Sequence, residues 1–218
     1  MPNSVQQGTV KILMFITIVF LTVLYSCYNN KPKPGNNNAS QLSAKNGIIA
    51  NTDSLLFELT DQILSAMQAK DYAKISSFFH PVSGVRFSPY AYIDTVANVT
   101  LTREPFNELV NQQIKLKWGS FNGSGEDILM TVQQYFNRFV YNANYLKNSK
   151  KSLNNIIGKG NTLNNIRIIY KDYDFIECYI PGSDKKSEGM DWCSLRLVYK
   201  KFGDQYFLVG LIHDQWTI

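Results

Sequence analysis

The sequence predicts an α+β domain with its helices first and a terminal antiparallel meander last. Three observations carry that prediction. Apolar residues in the first half of the body recur at steps of three and four, the period of a helix with one buried face. The last third changes to runs rich in Ile, Val, Tyr, Phe and Leu, separated by turn residues. A Pro/Gly/Asn-rich stretch before Asn51 sets off a body of about 165 residues, enough for one domain with a real core.

The chain opens with Lys11 leading into a largely apolar run, Ile12 to Leu24, which stops at Tyr25-Ser26-Cys27. That run is shorter than the roughly 20 residues a membrane-spanning helix needs and matches the apolar region of a secretory signal, placed at 1–26. Leu24-Tyr25-Ser26-Cys27 resembles the bacterial lipobox, with Tyr25 standing where a small or aliphatic residue is usual. The resemblance implies a lipoprotein whose Cys27 carries a palmitate-type acyl anchor in the cell envelope, periplasmic or surface-exposed. An ordinary signal peptide, or an uncleaved anchor with an incidental cysteine, is the other reading. Residues 27–51 include Asn29-Asn30-Lys31-Pro32-Lys33-Pro34-Gly35, too polar to offset chain entropy by burial, and read as a flexible tether.

Within the body, 52–218, Leu56, Leu59, Ile63 and Met67 form one apolar stripe behind Asp53 or Ser54 as N-cap. A second helix carries Tyr72, Ile75, Phe78 and Phe79 behind Asp71. It must end near His80-Pro81, because proline disfavours helix in the residue before it. Leu129, Val132, Phe136, Phe139 and Val140 suggest a third helix after Asp127, and Asn122-Gly123-Ser124-Gly125 a turn before it, since no Gly-Lys-Ser/Thr follows to make a phosphate loop. Ile166–Ile180, Trp192–Lys200 and Tyr206–Ile218 then read as three strands joined by Pro181–Lys186 and Phe202-Gly203-Asp204. Strands joined this closely pair with their sequence neighbours.

This element order resembles the NTF2-like superfamily, in which helices and a curved sheet enclose a pocket. The segments His80–Tyr90, Gly189-Met190-Asp191-Trp192 and His213–Ile218 are similar to an uncharacterised family of secreted bacterial lipoproteins, which brings no activity with it.

Cys178 and Cys193 flank one turn. A hairpin centred between 185 and 186 would set them opposite each other, close enough for a disulfide in an oxidising compartment. Two buried thiols are the competing reading. Two cysteines without a matching histidine pair imply no metal site, and no cofactor motif is present.

The formal charge of +5 falls by one if Lys11 leaves with the signal, and the lysine pairs 150–151, 185–186 and 200–201 are scattered among turns. That is solvated loop charge and points to no nucleic-acid partner. His80 is placed to cap the second helix through its last carbonyls. Arg86 and Arg196 alternate with apolar neighbours and point either to solvent or to the concave side, where they would form a floor for an anionic ligand. His213 and Asp214 are neighbours on a strand and point to opposite faces, so a dyad would need Asp191 or Asp94 as partner for His213. Tyr90, Trp118, Tyr141, Trp192 and Trp216 line either a pocket or the core. Arg86, Tyr90, Trp118, Arg196 and Trp216 are accordingly the ligand-binding residues expected. His80, His213 and Asp191 are the weaker catalytic ones.

Three function classes follow. The first is a non-catalytic module at the envelope, binding a small molecule, peptide, glycan or envelope protein. The second is an enzyme of the NTF2-like kind using a histidine and a carboxylate, and the third a structural subunit forming a homodimer through an open sheet face.

Overall fold

Aspartate, threonine and asparagine caps mark where each short helix begins in this chain, and β-branched and aromatic runs mark its strands. The computed structural model describes residues 37–217, with side chains from Thr52 onward except Ser187. The chain divides into two units, Met1–Ile48 and Ile49–Ile218. The signal segment and Cys27 lie outside the described residues.

Helix α1 spans Asn37–Gln68, so helix begins well before the Asp53 or Ser54 cap read from the sequence and takes in 37–51, the second half of the expected tether. In the second unit its stripe is as expected, with Leu56, Ile63 and Met67 buried in the main core. Helix α2 (Tyr72–Ser77) is capped by Asp71, whose carboxylate accepts from the Lys74 N–H at 2.9 Å, and it ends ahead of His80-Pro81. Helix α3 (Arg103–Gln112) follows the short strands β1 (Val85–Ser88) and β2 (Thr100–Leu101).

The third expected helix starts later than its apolar spacing suggested. Asp127–Met130 is strand β4, paired with β3 (Leu116–Ser120), so Leu129 is a strand residue. Thr131 and Gln134 form a reciprocal capping box that starts α4 (Val132–Tyr135). The helix then widens into a π turn over Phe136–Val140, closed by Tyr141 N–H to Phe136 O at 2.7 Å. Short helices α5 (Tyr145–Asn148) and α6 (Ile166–Ile169) flank strand β5 (Lys150–Leu153). The run Ile166–Ile180 is therefore not one strand. Its first turn is α6, and β6 is Asp174–Ile180. Strands β7 (Cys193–Phe202) and β8 (Gln205–Gln215) complete the meander.

The main sheet has the order β2-β1-β8-β7-β6-β5, antiparallel except where β1 runs parallel to β8. A bulge at Val198/Tyr199 interrupts the β7–β8 ladder, the device that bends a strand pair. The result is a mixed α+β architecture around a curved, mostly antiparallel sheet.

Period-two alternation assigns the two sheet faces. Leu195, Leu197, Tyr199, Leu211 and Phe87 join the helices in the main core, where Trp118 stacks on Tyr135 with ring centroids 4.1 Å apart. Tyr199 is fully buried, and its hydroxyl reaches Thr60 Oγ1 on α1 at 2.7 Å, tying helix to sheet. On the opposite face Val198, Ile212 and Phe175 pack under Ile93, Ile166 and Tyr170. Asn165 holds that cover in place, accepting from Ile93 N–H at 2.8 Å and donating to Ile93 O at 3.0 Å.

Candidate functional site

Register brings four polar side chains together on the second sheet face. Glu177 stands opposite Arg196, and Ser194 opposite Asp214. Arg196 is fully buried, and its Nη2 lies 2.8 Å from Glu177 Oε1, 2.8 Å from Asp214 Oδ2 and 3.2 Å from Gly158 O. Ser194 donates to Glu177 Oε1 at 2.6 Å, and the other Glu177 oxygen accepts from the Ile157 and Gly158 N–H groups. Nε and Nη1 of Arg196 are buried without a partner among the described residues. Burial raises the pKa of Asp214, with Arg196 pulling it back down. Two carboxylates against one guanidinium leave no positive floor for an anion, which overturns the cationic reading of Arg196. Arg86 lies on the same face but is committed to the loop above it, donating to Thr95 O at 3.0 Å and Asn98 O at 3.4 Å.

The network is roofed by residues 154–164. Gly158 and Gly160 lie flat on the Trp192 indole, where a Cβ would come within 2.8 Å and 3.0 Å of ring carbons. Asn161 and Thr162 staple the roof to Thr217 beyond β8.

Two pockets open beside the Gly158–Trp192 contact. One, about 290 Å3, is lined by Gly158, Lys159, Gly160, Thr162, Asn164 and Asp214. The other, about 390 Å3, is lined by Asn142, Met190, Asp191, Trp192, Gln215 and Trp216 among others. A third cleft of about 370 Å3 lies between α1 and the start of β8, with Leu55, Leu59, Phe78 and Tyr206 below a rim that includes Glu58 and Asp204.

The expected site residues separate. Trp216 is 41% exposed and lines the larger pocket. Trp118 and Tyr90 are core: the Trp118 indole donates to Met130 O at 2.8 Å, and the buried Tyr90 ring packs on Phe139. Tyr141 is half-buried and donates to Asn144 Oδ1 at 3.2 Å.

His80 does not cap α2. Its Nδ1 instead accepts from the Val82 and Ser83 N–H groups at 3.2 and 3.0 Å, closing the turn that follows, so its proton sits on Nε2. Burial, then the Lys200 charge, lowers its pKa. His213 and Asp214 do face opposite sides. His213 lies in the main core against Phe139, fully buried, with Nδ1 3.1 Å from Pro89 O. Burial drops its pKa to about 4, so the imidazole is neutral. Neither expected carboxylate partner reaches it. Asp191 accepts from Ser183 and Asp184 N–H, and Asp94 from Val96 and Ala97 N–H, and these backbone donors lower both pKa values.

Cys178 and Cys193 are free thiols. Cys193 pairs with Ile180 and Cys178 with Leu195, a register two residues from the one expected, because the connection includes a 3-10 turn at Lys185–Ser187. The two cysteines thus share a face but sit diagonally, a separation of about 7–8 Å that a disulfide does not span without backbone movement. The Cys193 thiol hydrogen-bonds the Tyr145 hydroxyl, and burial pushes the Cys178 thiol up to about 12.

Glu177, Ser194, Asn142 and Gln215 were not singled out from the sequence. Glu177 carried a signal, a lone charge inside the run Phe175-Ile176-Glu177-Cys178, but its partner follows only from register. Among the described residues no group of three His, Cys, Asp or Glu side chains is placed to hold a metal, and no helix is long and apolar enough to cross a membrane.

No family model and no curated protein matches the chain. Among solved structures it is similar to a Xanthomonas campestris protein named for a calcium/calmodulin dependent protein kinase II association domain. The two share 13% identity over 86% of this chain and 95% of that one, with a TM-score of 0.29.

Proposed function

We propose that this chain is a lipoprotein of the bacterial cell envelope whose NTF2-like domain binds a ligand without chemically transforming it. The observation that carries the reading is how the interior polar groups are used. His80 and His213 are at most 3% exposed and hold backbone through Nδ1, and Glu177 and Asp214 are tied to Arg196. The two clefts beside Trp192 combine aromatic, amide and hydroxyl side chains with Lys159, Asp191 and Asp214, and neither histidine lines them. The NTF2-like assignment is supported by two helices that open the domain, by helices packed on one face of a curved sheet and by a meander as its last three strands. The envelope assignment is supported by the apolar run ending at Ser26-Cys27.

Two measurements test the reading. Fractionation of cells expressing Cys27→Ser should move the protein from the membrane to the soluble fraction, and unchanged membrane association removes the lipid anchor from the proposal. Native mass spectrometry of the full-length protein, released gently from detergent, should show a retained small molecule. A protein that is free of ligand, and whose melting temperature no compound of a metabolite and glycan panel shifts, would refute the binding role.

A further inference from the structure

The larger pocket beside Trp192 carries a more specific chemistry. Its two carboxamides are fixed by internal bonds to their oxygens. Tyr145 Oη donates to Asn142 Oδ1 at 2.8 Å, and Arg138 Nη1 donates to Gln215 Oε1 at 3.4 Å. With each oxygen turned to its internal donor, the NH2 group of each amide is free to donate: neither Asn142 Nδ2 nor Gln215 Nε2 has a partner among the described residues. Arg138 reaches Gln215 from the π turn, the irregular backbone that ends the helix leading into this corner.

The same pocket also holds an acceptor. The Asp191 carboxylate is held ionised by backbone donors from Ser183 and Asp184 and lines the same cavity. The apolar contribution is aromatic: Trp192 is pinned under Gly158 and Gly160, and Trp216 keeps 41% of its surface in solvent at the rim. An exposed indole and rigid amides beside a charged acceptor suit a ligand that has flat apolar C–H faces and edges that both donate and accept hydrogen bonds. Pyranose rings have that combination. A proline-rich segment has the apolar rings and carbonyl acceptors but no donor for Asp191, and an anionic ligand would be repelled by it.

We infer that the Trp192–Trp216 pocket binds a neutral oligosaccharide, its sugar face against Trp216 and its hydroxyls bridging Asn142, Gln215 and Asp191. The inference rests on the binding-module reading above and names the ligand class for it. At about 390 Å3 the cavity lies low in the roughly 300–1,000 Å3 range of ligand pockets, which suits a short saccharide segment rather than a large ligand.

The test is a titration of full-length protein in a sugar-free detergent, followed by tryptophan fluorescence. The probes are tetrasaccharides of β-1,4-glucose, α-1,4-glucose and β-1,4-N-acetylglucosamine, with a proline-rich peptide in parallel. At least one saccharide should give a saturable change. Trp216→Ala and Gln215→Ala should each weaken its affinity by ~10-fold or more, while the melting temperature of Trp216→Ala stays that of the parent. Saccharide binding that survives both substitutions overturns the site. Binding of the peptide alone, lost in Trp216→Ala, overturns the ligand class. If no saccharide binds but native mass spectrometry shows a retained ligand insensitive to Trp216→Ala, the inference fails and the binding-module reading stands. Absence of any ligand in both experiments removes both.

Discussion

Replacing Arg196 by Met takes one charge out of a fully enclosed network and keeps most of the side-chain volume. Glu177 Oε1 and Asp214 Oδ2 each lie 2.8 Å from Nη2, so they are no farther from each other than twice that distance. Two carboxylates that close repel by ~3 kcal/mol at an effective dielectric of about 20, in line with the ~3–5 kcal/mol lost when one partner of a buried ion pair is removed. Glu177 retains Ser194 and two backbone donors, so Asp214 is the group that takes up a proton and limits the loss. The expected cost at pH 7.5 is therefore ~3–4 kcal/mol. At ~2–4 °C per kcal/mol for a domain this size, the melting temperature falls by roughly 6–16 °C.

The pH dependence is the sharper readout. The folded-state pKa of Asp214 is already raised by burial, and removal of the guanidinium raises it further. A carboxyl with a raised folded pKa stabilises the fold below its unfolded pKa, and that contribution is lost as pH rises through the folded value. The gap between Arg196→Met and parent should thus be widest near pH 8 and narrow towards pH 5 in urea unfolding. His213 titrates in both proteins, and because burial is the first cause of its lowered pKa and the Arg196 charge the last, most of its contribution cancels in the difference. Adding Asp214→Asn to Arg196→Met should restore much of the loss at pH 7.5. An Arg196→Met protein melting within ~2 °C of the parent, with a gap independent of pH, would refute the account of the network.

Three further outcomes are expected. His213 has a folded pKa of about 4 against an ordinary value of 6.5, so its contribution to stability is full above pH 6.5 and is lost as pH falls towards 4, by ~3 kcal/mol. His213→Phe should flatten the fall in urea-unfolding stability across that window, and an unchanged slope would count against a neutral buried imidazole. Thr60→Val strands the Tyr199 hydroxyl in the core and should cost ~1–3 kcal/mol by chemical denaturation, whereas a Thr60→Ser protein should stay near the parent. Thiol counting on denatured, unreduced protein should find Cys178 and Cys193 both reactive. In the native state Cys178 should resist alkylation at pH 8, because burial holds its thiol protonated. Fewer than two reactive thiols from these positions would show a bridge.

Local chemistry was legible in the chain. The Asp71 cap, the stop at His80-Pro81, the turn at Asn122–Gly125 and the order of the last strands follow from propensities acting within a few residues. So does the separation of His213 from Asp214, because alternation along a strand needs no partner. Where local signals compete, the spacing misled. Leu129 continues a helical period, yet pairing with Lys117 made it strand. Ile166–Ile169 is as β-branched as the strand after it, yet it closes a helical turn where Asn165 grips Ile93. Register decided the rest. A shift of two residues in the β6–β7 hairpin parts Cys178 from Cys193 and sets Glu177 against Arg196. The parallel pairing of β1 with β8 joins segments more than 120 residues apart and leaves no trace in either sequence. Trp118, Trp192 and Trp216 look alike in the chain, and only packing decides which is core, which is pinned under glycines and which meets solvent. Burial is a property of what arrives from distant sequence, whereas caps, turns and alternation are properties of neighbours.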